Sequence, residues 1–175
     1  MGFKIVETFL DGVVVLEPDI YRDDRGSFCE LFVVSTLNKT FVQDNISFSK
    51  SGVLRGLHYQ LEPMPQDKLV FAASGRILDV AVDLRFESPT FLKHFAIELS
   101  YENRKGLFVP RGFAHGFLAL EDSNVFYKVT NFFNKELDRS IRWDDPDIGI
   151  DWPIKSPTLS DKDRTASLWK KAEIF

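Results

Sequence analysis

The segment Ser51–Gln60, SGVLRGLHYQ, carries polar and basic side chains within a stretch that otherwise has the pattern of a β-strand. Arg55, His58 and Gln60 lie in this segment, and Lys68 follows it closely. Histidine is suited to proton transfer near neutral pH, whereas arginine and lysine bind anions. We therefore predict that these side chains face a ligand. The alternative is a histidine satisfied by hydrogen bonds beside a solvated arginine.

Strict alternation along a strand would send Arg55 and His58 to opposite faces. Gly56 lies between them, and a glycine inside a strand often marks a bulge that redirects a side chain. The sequence therefore predicts an irregularity at Gly56 that places both side chains at one site.

The other two histidines have different contexts. His94 alternates with Phe95, Ile97 and Leu99, so we expect it to face the polar side of its strand in a structural role. His115 ends the spacing P-x-G-x-x-H, which resembles the second motif of cupins. In the matching first motif Gln60 replaces a histidine and no glutamate follows it, which disfavours a divalent metal site and a metal-dependent cupin oxygenase. We predict no metal and no cofactor.

Five further residues have both a functional and a structural interpretation. Tyr127 and Phe133 share parity, so on one regular strand they would lie about 20 Å apart on one face, the reach of a nucleotide sugar, unless they are core residues. Asp163 fits the first turn of a helix capped by Ser160. Arg25 and Glu30 are typical of exposed strand or turn charges.

The elements that would position these residues are short β-rich runs separated by turns. They include SFCELFVV and VFYKVTNFF, and the alternation in RILDVAVDLR and HFAIELS predicts one buried face for each strand. A helical pattern is scarce before Ser160. We predict an all-β, cupin-like double-sheet jelly-roll barrel with a short C-terminal helical segment, in a single domain over residues 1–175.

Composition limits the partners. A net charge of −4 in 175 residues gives no general basic surface for nucleic acid, and no apolar run is long enough to cross a membrane. The one cysteine, Cys29, cannot form an internal disulfide. These features favour the cytoplasm. Seventeen phenylalanines indicate a thick core or a large subunit interface.

Several blocks together resemble the dTDP-4-dehydrorhamnose 3,5-epimerase family, in the family's order from about Glu17 to Asp163. They are FVQDNISFSKSGVLRGLHYQ, QDKLV, GRILDVAVDLRFESPTF, LSYENRKGLFVPRGFAHGF, FYKVTNFF, IRWDDPDIGIDWP and LSDKD. The resemblance implies a metal-free cupin-type homodimer that inverts C3 and C5 of a dTDP-linked 4-keto-6-deoxyhexose. Carried over by position, His58 is the base, Asp163 its partner, Tyr127 the acid and Lys68 the cation that stabilises the enolate.

The resemblance also implies which residues bind substrate. The diphosphate would be held by Arg55, Arg25 and Lys162, the nucleotide by Gln43, Asn45 and Glu30, and the sugar site would be lined by His115, with some contacts supplied by the neighbouring subunit. Phe133 stands where the family often has a tyrosine stacked on thymine. A monofunctional 3- or 5-epimerase and a non-catalytic nucleotide-sugar-binding cupin are the alternatives, and the joint presence of His58, Tyr127 and Lys68 argues against the latter.

Overall fold

The computed structural model describes residues 3–175, and antiparallel β-strands dominate it. The strands are β1 Phe3–Phe9, β2 Val13–Pro18, β3 Tyr21–Asp23, β4 Gly26–Phe28, β5 Gln43–Ser49, β6 Leu54–Gln60, β7 Lys68–Ser74, β8 Arg76–Asp83, β9 His94–Ser100, β10 Gly106–Val109, β11 Phe113–Ala119, β12 Ser123–Val129 and β13 Asp138–Ser140. Two short helices, α1 Val34–Leu37 and α2 Asp161–Arg164, and a 3₁₀ turn at Trp169–Lys171 complete the described elements. No helix among residues 3–175 is long and apolar enough to span a membrane.

Most strands belong to two sheets. One has the order β1-β2-β10-β7-β12-β5 and the other the order β13-β6-β11-β8-β9, while β3 and β4 form a separate hairpin. Neighbours in each sheet are mostly distant in sequence, as expected when a chain crosses repeatedly between two sheets. The predicted double-sheet barrel is confirmed, and so is its small helical content after Ser160.

The barrel core lies between the two sheets. It is formed by buried residues of both inner faces: Val13, Val15, Val70, Ala72, Ile77, Ala81, Leu99, Leu107, Val109, Phe113, Phe117 and Val125. Phe95 and Ile97 of β9 pack against this cluster and Leu99 belongs to it, whereas the alternate residues Ala96 and Glu98 are exposed, so β9 has the single buried face predicted for it. The barrel core fills only part of the space between the sheets, and a cavity lined mainly by polar side chains lies beside it.

The prediction of one buried face is wrong for β8. Ile77 and Ala81 face the barrel core, but Val80 and Val82 of the opposite face are also fully buried. The chain after β13 covers that outer face with Ile148, Trp152, Trp169 and other apolar residues. Alternation within β8 does not reveal this second layer, because the covering residues come from a distant segment.

The predicted irregularity at Gly56 is confirmed. His58 pairs with His115 and Arg55 with Phe117, so β6 spans three steps where β11 spans two. Gly56 has φ +139°, and a Cβ there would lie 2.6 Å from the Cα of Gly116. Glycine is required both for this backbone conformation and for the close approach of the strands. The bulge lets Arg55 and His58 reach the same cavity.

Two segments differ from their predicted form. Only the start of SFCELFVV is in a strand: β4 ends at Phe28, and the chain then leads into α1. Similarly, β12 ends at Val129, so Tyr127 and Phe133 do not lie on one regular strand. Polar and turn-forming residues after Val129 lead the chain out of the sheet toward β13.

Candidate active site

A cavity of about 260 Å³ opens between the two sheets. The five-stranded sheet contributes side chains from β6 and β11, the six-stranded sheet from β5, β7 and β12, and α2 closes one side. The lining residues are Ser47, Arg55, His58, Lys68, His115, Phe117, Tyr127, Ser160 and Asp163. This volume is below the roughly 300–1,000 Å³ typical of pockets for drug-sized ligands, so a ligand longer than one sugar ring must extend past the rim.

His58 and Asp163 meet in this cavity although they are 105 residues apart in sequence. His58 Nε2 donates to Asp163 Oδ1 at a distance of 2.5 Å. This bond fixes the ring orientation and directs the Nδ1 lone pair of a neutral imidazole away from the carboxylate. Paired in this way, a histidine is oriented for proton abstraction by Nδ1.

Asp163 is itself held by the first turn of α2. The hydroxyl of Ser160 donates to Asp163 Oδ2 at 2.8 Å, and the backbone N–H of Asp163 donates back to that hydroxyl oxygen at 3.1 Å. The predicted N-cap at Ser160 is therefore confirmed. The structural and functional interpretations of Asp163 are compatible, because one carboxyl oxygen takes part in the cap and the other contacts His58.

The surroundings hold this pair as a neutral imidazole and an ionised carboxylate. Burial lowers the pKa of His58 below its ordinary 6.5, an effect that the hydrogen bond and charge of Asp163 only partly offset. Burial acts to raise the pKa of Asp163, but the hydrogen bond from His58 and other favourable contacts outweigh it, so the net pKa is lowered from 3.8. His58 is therefore in its basic form at neutral pH.

Tyr127 lies on the opposite wall of the cavity from His58. It projects from β12 of the six-stranded sheet, whereas His58 projects from β6 of the other sheet. Burial raises the pKa of the Tyr127 phenol above 10, although the charge of Arg55 partly offsets the effect. Tyr127 therefore keeps its proton at neutral pH, and a ring bound between the sheets would have a base on one face and an acid on the other.

Lys68 brings a buried amine into the same space. Its Nζ donates to the carbonyl oxygen of His58 at 3.3 Å. Burial lowers the pKa of Lys68 to about 8, with the charges of Asp138 and Asp79 partly offsetting the effect. At neutral pH the group is still mainly an ammonium. A desolvated ammonium can stabilise negative charge that develops on a ligand oxygen.

Arg55 is oriented by its neighbours on β5. Its Nε donates to Ser49 Oγ at 2.9 Å and its Nη2 to the Phe48 carbonyl oxygen at 3.0 Å. These two bonds fix the guanidinium plane at the edge of the cavity and leave Nη1 for a ligand. A guanidinium held in this way is suited to phosphate oxygens.

Residues 7–171 match the sequence profile of the dTDP-4-dehydrorhamnose 3,5-epimerase family. A curated dTDP-4-dehydrorhamnose 3,5-epimerase from Methanothermobacter thermautotrophicus is 49% identical, covering 96% of this chain and 94% of that protein. The crystal structure of the Bacillus anthracis enzyme with TDP and PPi bound superposes with a TM-score of 0.92 at 43% identity, covering 95% of this chain and 99% of that one.

The Legionella pneumophila enzyme, solved in complex with dTDP-4-keto-L-rhamnose, gives a TM-score of 0.92 at 42% identity, covering 97% of this chain and 94% of that one. The chain belongs to the dTDP-4-dehydrorhamnose 3,5-epimerase family. The family resemblance inferred from the sequence motifs is therefore confirmed, and the cupin-like barrel is the fold shared with these epimerase structures.

Not every residue predicted for the epimerase site reaches the cavity. Gln60 is 4% exposed; its amide nitrogen donates to the carbonyl oxygens of Met64 and Phe132, and its Oε1 accepts from the Asn134 N–H. It anchors two loops and is not among the residues that line the cavity, so its role in substrate binding stays a prediction. Tyr59 points to the outer face, where its hydroxyl donates to the Glu173 carbonyl oxygen.

The residues predicted to bind the nucleotide lie beyond the cavity. Gln43 and Asn45 share one face of β5 and are hydrogen-bonded to each other at 2.8 Å. Gln43 Oε1 also accepts from the backbone N–H of Phe133, whose ring is exposed. Ser47 continues the same face of β5 into the cavity. These residues form a partly polar surface that leads from the cavity to an exposed aromatic ring.

Arg25, Glu30 and Lys162 do not line the cavity of their own chain. Arg25 lies on the exposed β3–β4 hairpin, where it forms an ion pair with its neighbour Asp23 at 2.6 Å. Glu30 follows the hairpin, and its Oε2 is buried without a hydrogen-bond partner among the described residues. Lys162 is on α2, next to Asp163, and forms an ion pair with Asp138.

Three of the lining residues were not predicted from the sequence as parts of a site. Ser47 shares the parity of Gln43 and Asn45, so alternation could have identified it. Ser160 was recognised only as a cap, and Phe117 reaches the site because β11 pairs with the bulged β6.

Within residues 3–175 no group of three or more His, Cys, Asp and Glu is arranged to hold a metal ion. His94 has the expected structural role, with Nδ1 at 3.2 Å from the Ile148 carbonyl oxygen.

Proposed function

We propose that this protein is a dTDP-4-dehydrorhamnose 3,5-epimerase. It would invert C3 and C5 of dTDP-4-dehydro-6-deoxy-D-glucose and so produce dTDP-4-dehydro-L-rhamnose. The observation that carries this proposal is the placement of His58 and Tyr127 on opposite walls of one cavity, with Lys68 beside them. Membership of the epimerase family and the ligand in the related Legionella structure support the choice of substrate.

The reaction starts at a carbon next to the C4 ketone. His58 Nδ1 takes the proton from that carbon, the electrons of the C–H bond form an enolate, and negative charge moves to the C4 oxygen. Asp163 stabilises the imidazolium that forms, since it holds Nε2–H at 2.5 Å. Lys68 provides the positive charge that stabilises the enolate oxygen, a contribution of about 3 kcal/mol for one well-placed donor.

Tyr127 completes the inversion from the opposite face. Its phenol donates a proton to the carbanionic carbon, the ketone re-forms, and the configuration of that carbon is reversed. The imidazolium and the phenolate must then exchange protons with solvent before the second carbon reacts. No electrons leave the substrate, and the chemistry therefore requires neither a redox cofactor nor a metal.

The nucleotide would extend from the cavity over its rim. Arg55 at the edge of the cavity is placed for the diphosphate, with Lys162 nearby on α2. Gln43 and Asn45 lie along the path toward Phe133, whose exposed ring offers a stacking surface for thymine. His115 would contact the sugar, since it lines the cavity.

The site is proposed to be shared within a homodimer. Arg25 and Glu30 lie outside the cavity of their own chain, on or after a hairpin whose two strands are exposed throughout. Insertion of this hairpin over the neighbouring subunit's cavity would bring Arg25 to the diphosphate and Glu30 to the nucleotide. We also propose that residues 1–175 form one domain and that the enzyme acts in the cytoplasm.

The decisive experiment follows the C3 and C5 protons of dTDP-4-keto-6-deoxyglucose by NMR in deuterated water. We expect enzyme-dependent deuterium uptake at both carbons and an L-lyxo product that can be trapped by a following reductase. Uptake at one carbon would instead indicate a monofunctional epimerase. No uptake by folded protein would reject this substrate and favour a nucleotide-sugar-binding cupin. In that case the wild type would show no turnover, and His58→Ala would leave the affinity for the nucleotide sugar unchanged.

A further inference from the structure

Asp79 is a fully buried carboxylate behind the cavity. It lies on β8 between Ile77 and Ala81, which share its face and pack in the barrel core. One oxygen, Oδ1, accepts a hydrogen bond from His115 Nε2 at 2.8 Å, while Oδ2 is buried without a hydrogen-bond partner among the described residues. Burying an incompletely paired carboxylate costs free energy, so packing alone does not account for this residue.

The sheet register determines how Asp79 reaches His115. On β8 and β11, His115 is directly opposite Ala81, and Asp79 is directly opposite Phe117. Asp79 and His115 are therefore diagonal neighbours on the inner face of the sheet, within reach of each other. His115 lines the cavity whereas Asp79 does not, so any effect of Asp79 on a ligand passes through His115.

The hydrogen bond also determines which nitrogen a ligand meets. With Nε2–H bound to Asp79, the neutral ring presents Nδ1 as an acceptor. Two of the other lining groups, the Lys68 ammonium and the Arg55 guanidinium, are donors only. A hexose hydroxyl needs an acceptor to fix its direction, and His115 Nδ1 supplies one.

We propose that Asp79 is a positioning residue that holds His115 as its Nε2–H tautomer, so that His115 Nδ1 accepts a hydrogen bond from a hydroxyl of the bound hexose. This inference rests on the proposed function.

The first test needs no substrate. Long-range ¹H–¹⁵N NMR of the ligand-free protein, with His115 assigned by its absence from His115→Asn, reports which ring nitrogen carries the proton. We expect Nε2–H in the wild type and an increased Nδ1–H population in Asp79→Asn. Nδ1–H as the main form of His115 in the wild type would overturn the proposal even if Asp79→Asn does not fold.

The second test is kinetic. We expect Asp79→Asn to lower kcat by about 10- to 100-fold, as for other carboxylates that orient a functional histidine, with a smaller change in KM. In a His115→Asn background the same substitution should cause little further loss, because the route through His115 is already removed. Full additivity of the two losses would overturn the proposal. If the wild type turns over no substrate, the proposed function fails, which is distinguishable from failure of the tautomer.

Asp83→Asn is the matched control. Asp83 is on the same strand and equally buried, but its carboxylate binds Arg85, Ser88 and Thr90 away from the cavity. We expect it to lower the melting temperature while the His115 signals and the kcat of folded protein stay at wild-type values. An equal loss of kcat in both variants would mean that Asp79 contributes only stability, and this would overturn the positioning role.

Discussion

His58 Nε2 lies 2.5 Å from Asp163 Oδ1, and this contact joins a strand in the middle of the chain to a four-residue helix near its end. The helix contributes no residue to either sheet. Its carboxylate reaches His58 because the chain after β13 packs over the outer face of the five-stranded sheet and then pairs with the residue before β6, in the bridge between Val53 and Thr158. The pair of His58 and Asp163 is therefore assembled by the same segment that buries the outer face of β8.

Asp163→Asn tests this contact. The amide keeps the shape but loses the charge that stabilises the imidazolium, so we expect kcat to fall by roughly 10²- to 10⁴-fold. A stability effect should accompany it. The pKa of Asp163 is lowered on folding. The contribution of its carboxylate to the free energy of unfolding is therefore present above the pKa of the unfolded state, near 3.8, and is lost as pH falls through the pKa of the folded state. Urea unfolding at pH 7 and pH 3 measures this, and an equal effect at both pH values would contradict it.

Tyr127→Phe separates proton abstraction from inversion. The variant lacks the phenolic proton but keeps the aromatic ring, so His58 can still remove a substrate proton and return a deuteron to the same face. We expect deuterium uptake at C3 or C5 to continue in deuterated water while formation of the L-lyxo product falls by about 10²-fold or more. His58→Asn is the control, because it should abolish both. Unchanged product formation by Tyr127→Phe would remove Tyr127 from the mechanism.

The pH dependence of kcat/KM should be bell-shaped. Activity rises as neutral His58 forms, and because burial lowers its pKa, this limb lies below pH 6.5. Activity falls as Lys68 loses its proton, with a limb near pH 8 because burial lowers that pKa to about 8. In Lys68→Arg, residual activity should persist to higher pH, because a guanidinium stays protonated. An alkaline limb at the same pH in this variant would assign it to another group.

Lys68→Met should make the protein more stable and inactive. The drop in the pKa of Lys68 from 10.5 to about 8 on folding corresponds to an order-of-magnitude cost of roughly 3 kcal/mol at pH 7. Part of the Lys68 side chain is exposed to solvent, which reduces this cost. We therefore expect Lys68→Met to raise the free energy of unfolding by about 1–3 kcal/mol. Between pH 8 and 10.5 the unfolded state binds more protons than the folded state. The wild type therefore regains this stability as pH rises, and the difference in free energy of unfolding between the wild type and Lys68→Met shrinks.

Denaturant unfolding of wild type and Lys68→Met at pH 7 and pH 10 measures that difference. Lys128→Met, on the adjacent strand, is a control that loses the ion pair with Asp44 and should not stabilise the protein. A gain for Lys68→Met that is independent of pH would show that packing, not the buried ammonium, is responsible.

Gly56→Ala tests the bulge on which the site depends. An added Cβ would lie 2.6 Å from the Gly116 Cα, so we expect a loss of roughly 2–4 kcal/mol in the free energy of unfolding. Gly26→Ala is a matched control, because Gly26 has nearly the same φ of +134° but nothing within 4 Å of the added carbon. Equal losses in the two variants would mean that backbone conformation, not the contact between β6 and β11, requires glycine at position 56.

The sequence by itself determined what depends on local pattern and residue chemistry. Alternation predicted the all-β barrel, Gly56 predicted the bulge, Ser160 predicted the helix cap, and the motif set predicted the family. Each of these signals lies within a few residues, because strand parity, backbone freedom and capping are set by near neighbours. The same local information could not separate Gln60 from Arg55 and His58, since all three are polar residues of one strand.

The tertiary structure decided which of these polar residues share a cavity. Gln60 is committed to the loops at Met64, Phe132 and Asn134, and Asp163 comes to His58 from a segment 105 residues away. Asp79 had no signal in the sequence beyond the alternation of β8, yet it lies behind His115 because two distant strands pair in one register. Proximity between distant residues is set by how sheets pair and which segments cover them, and a pattern of near neighbours does not encode it.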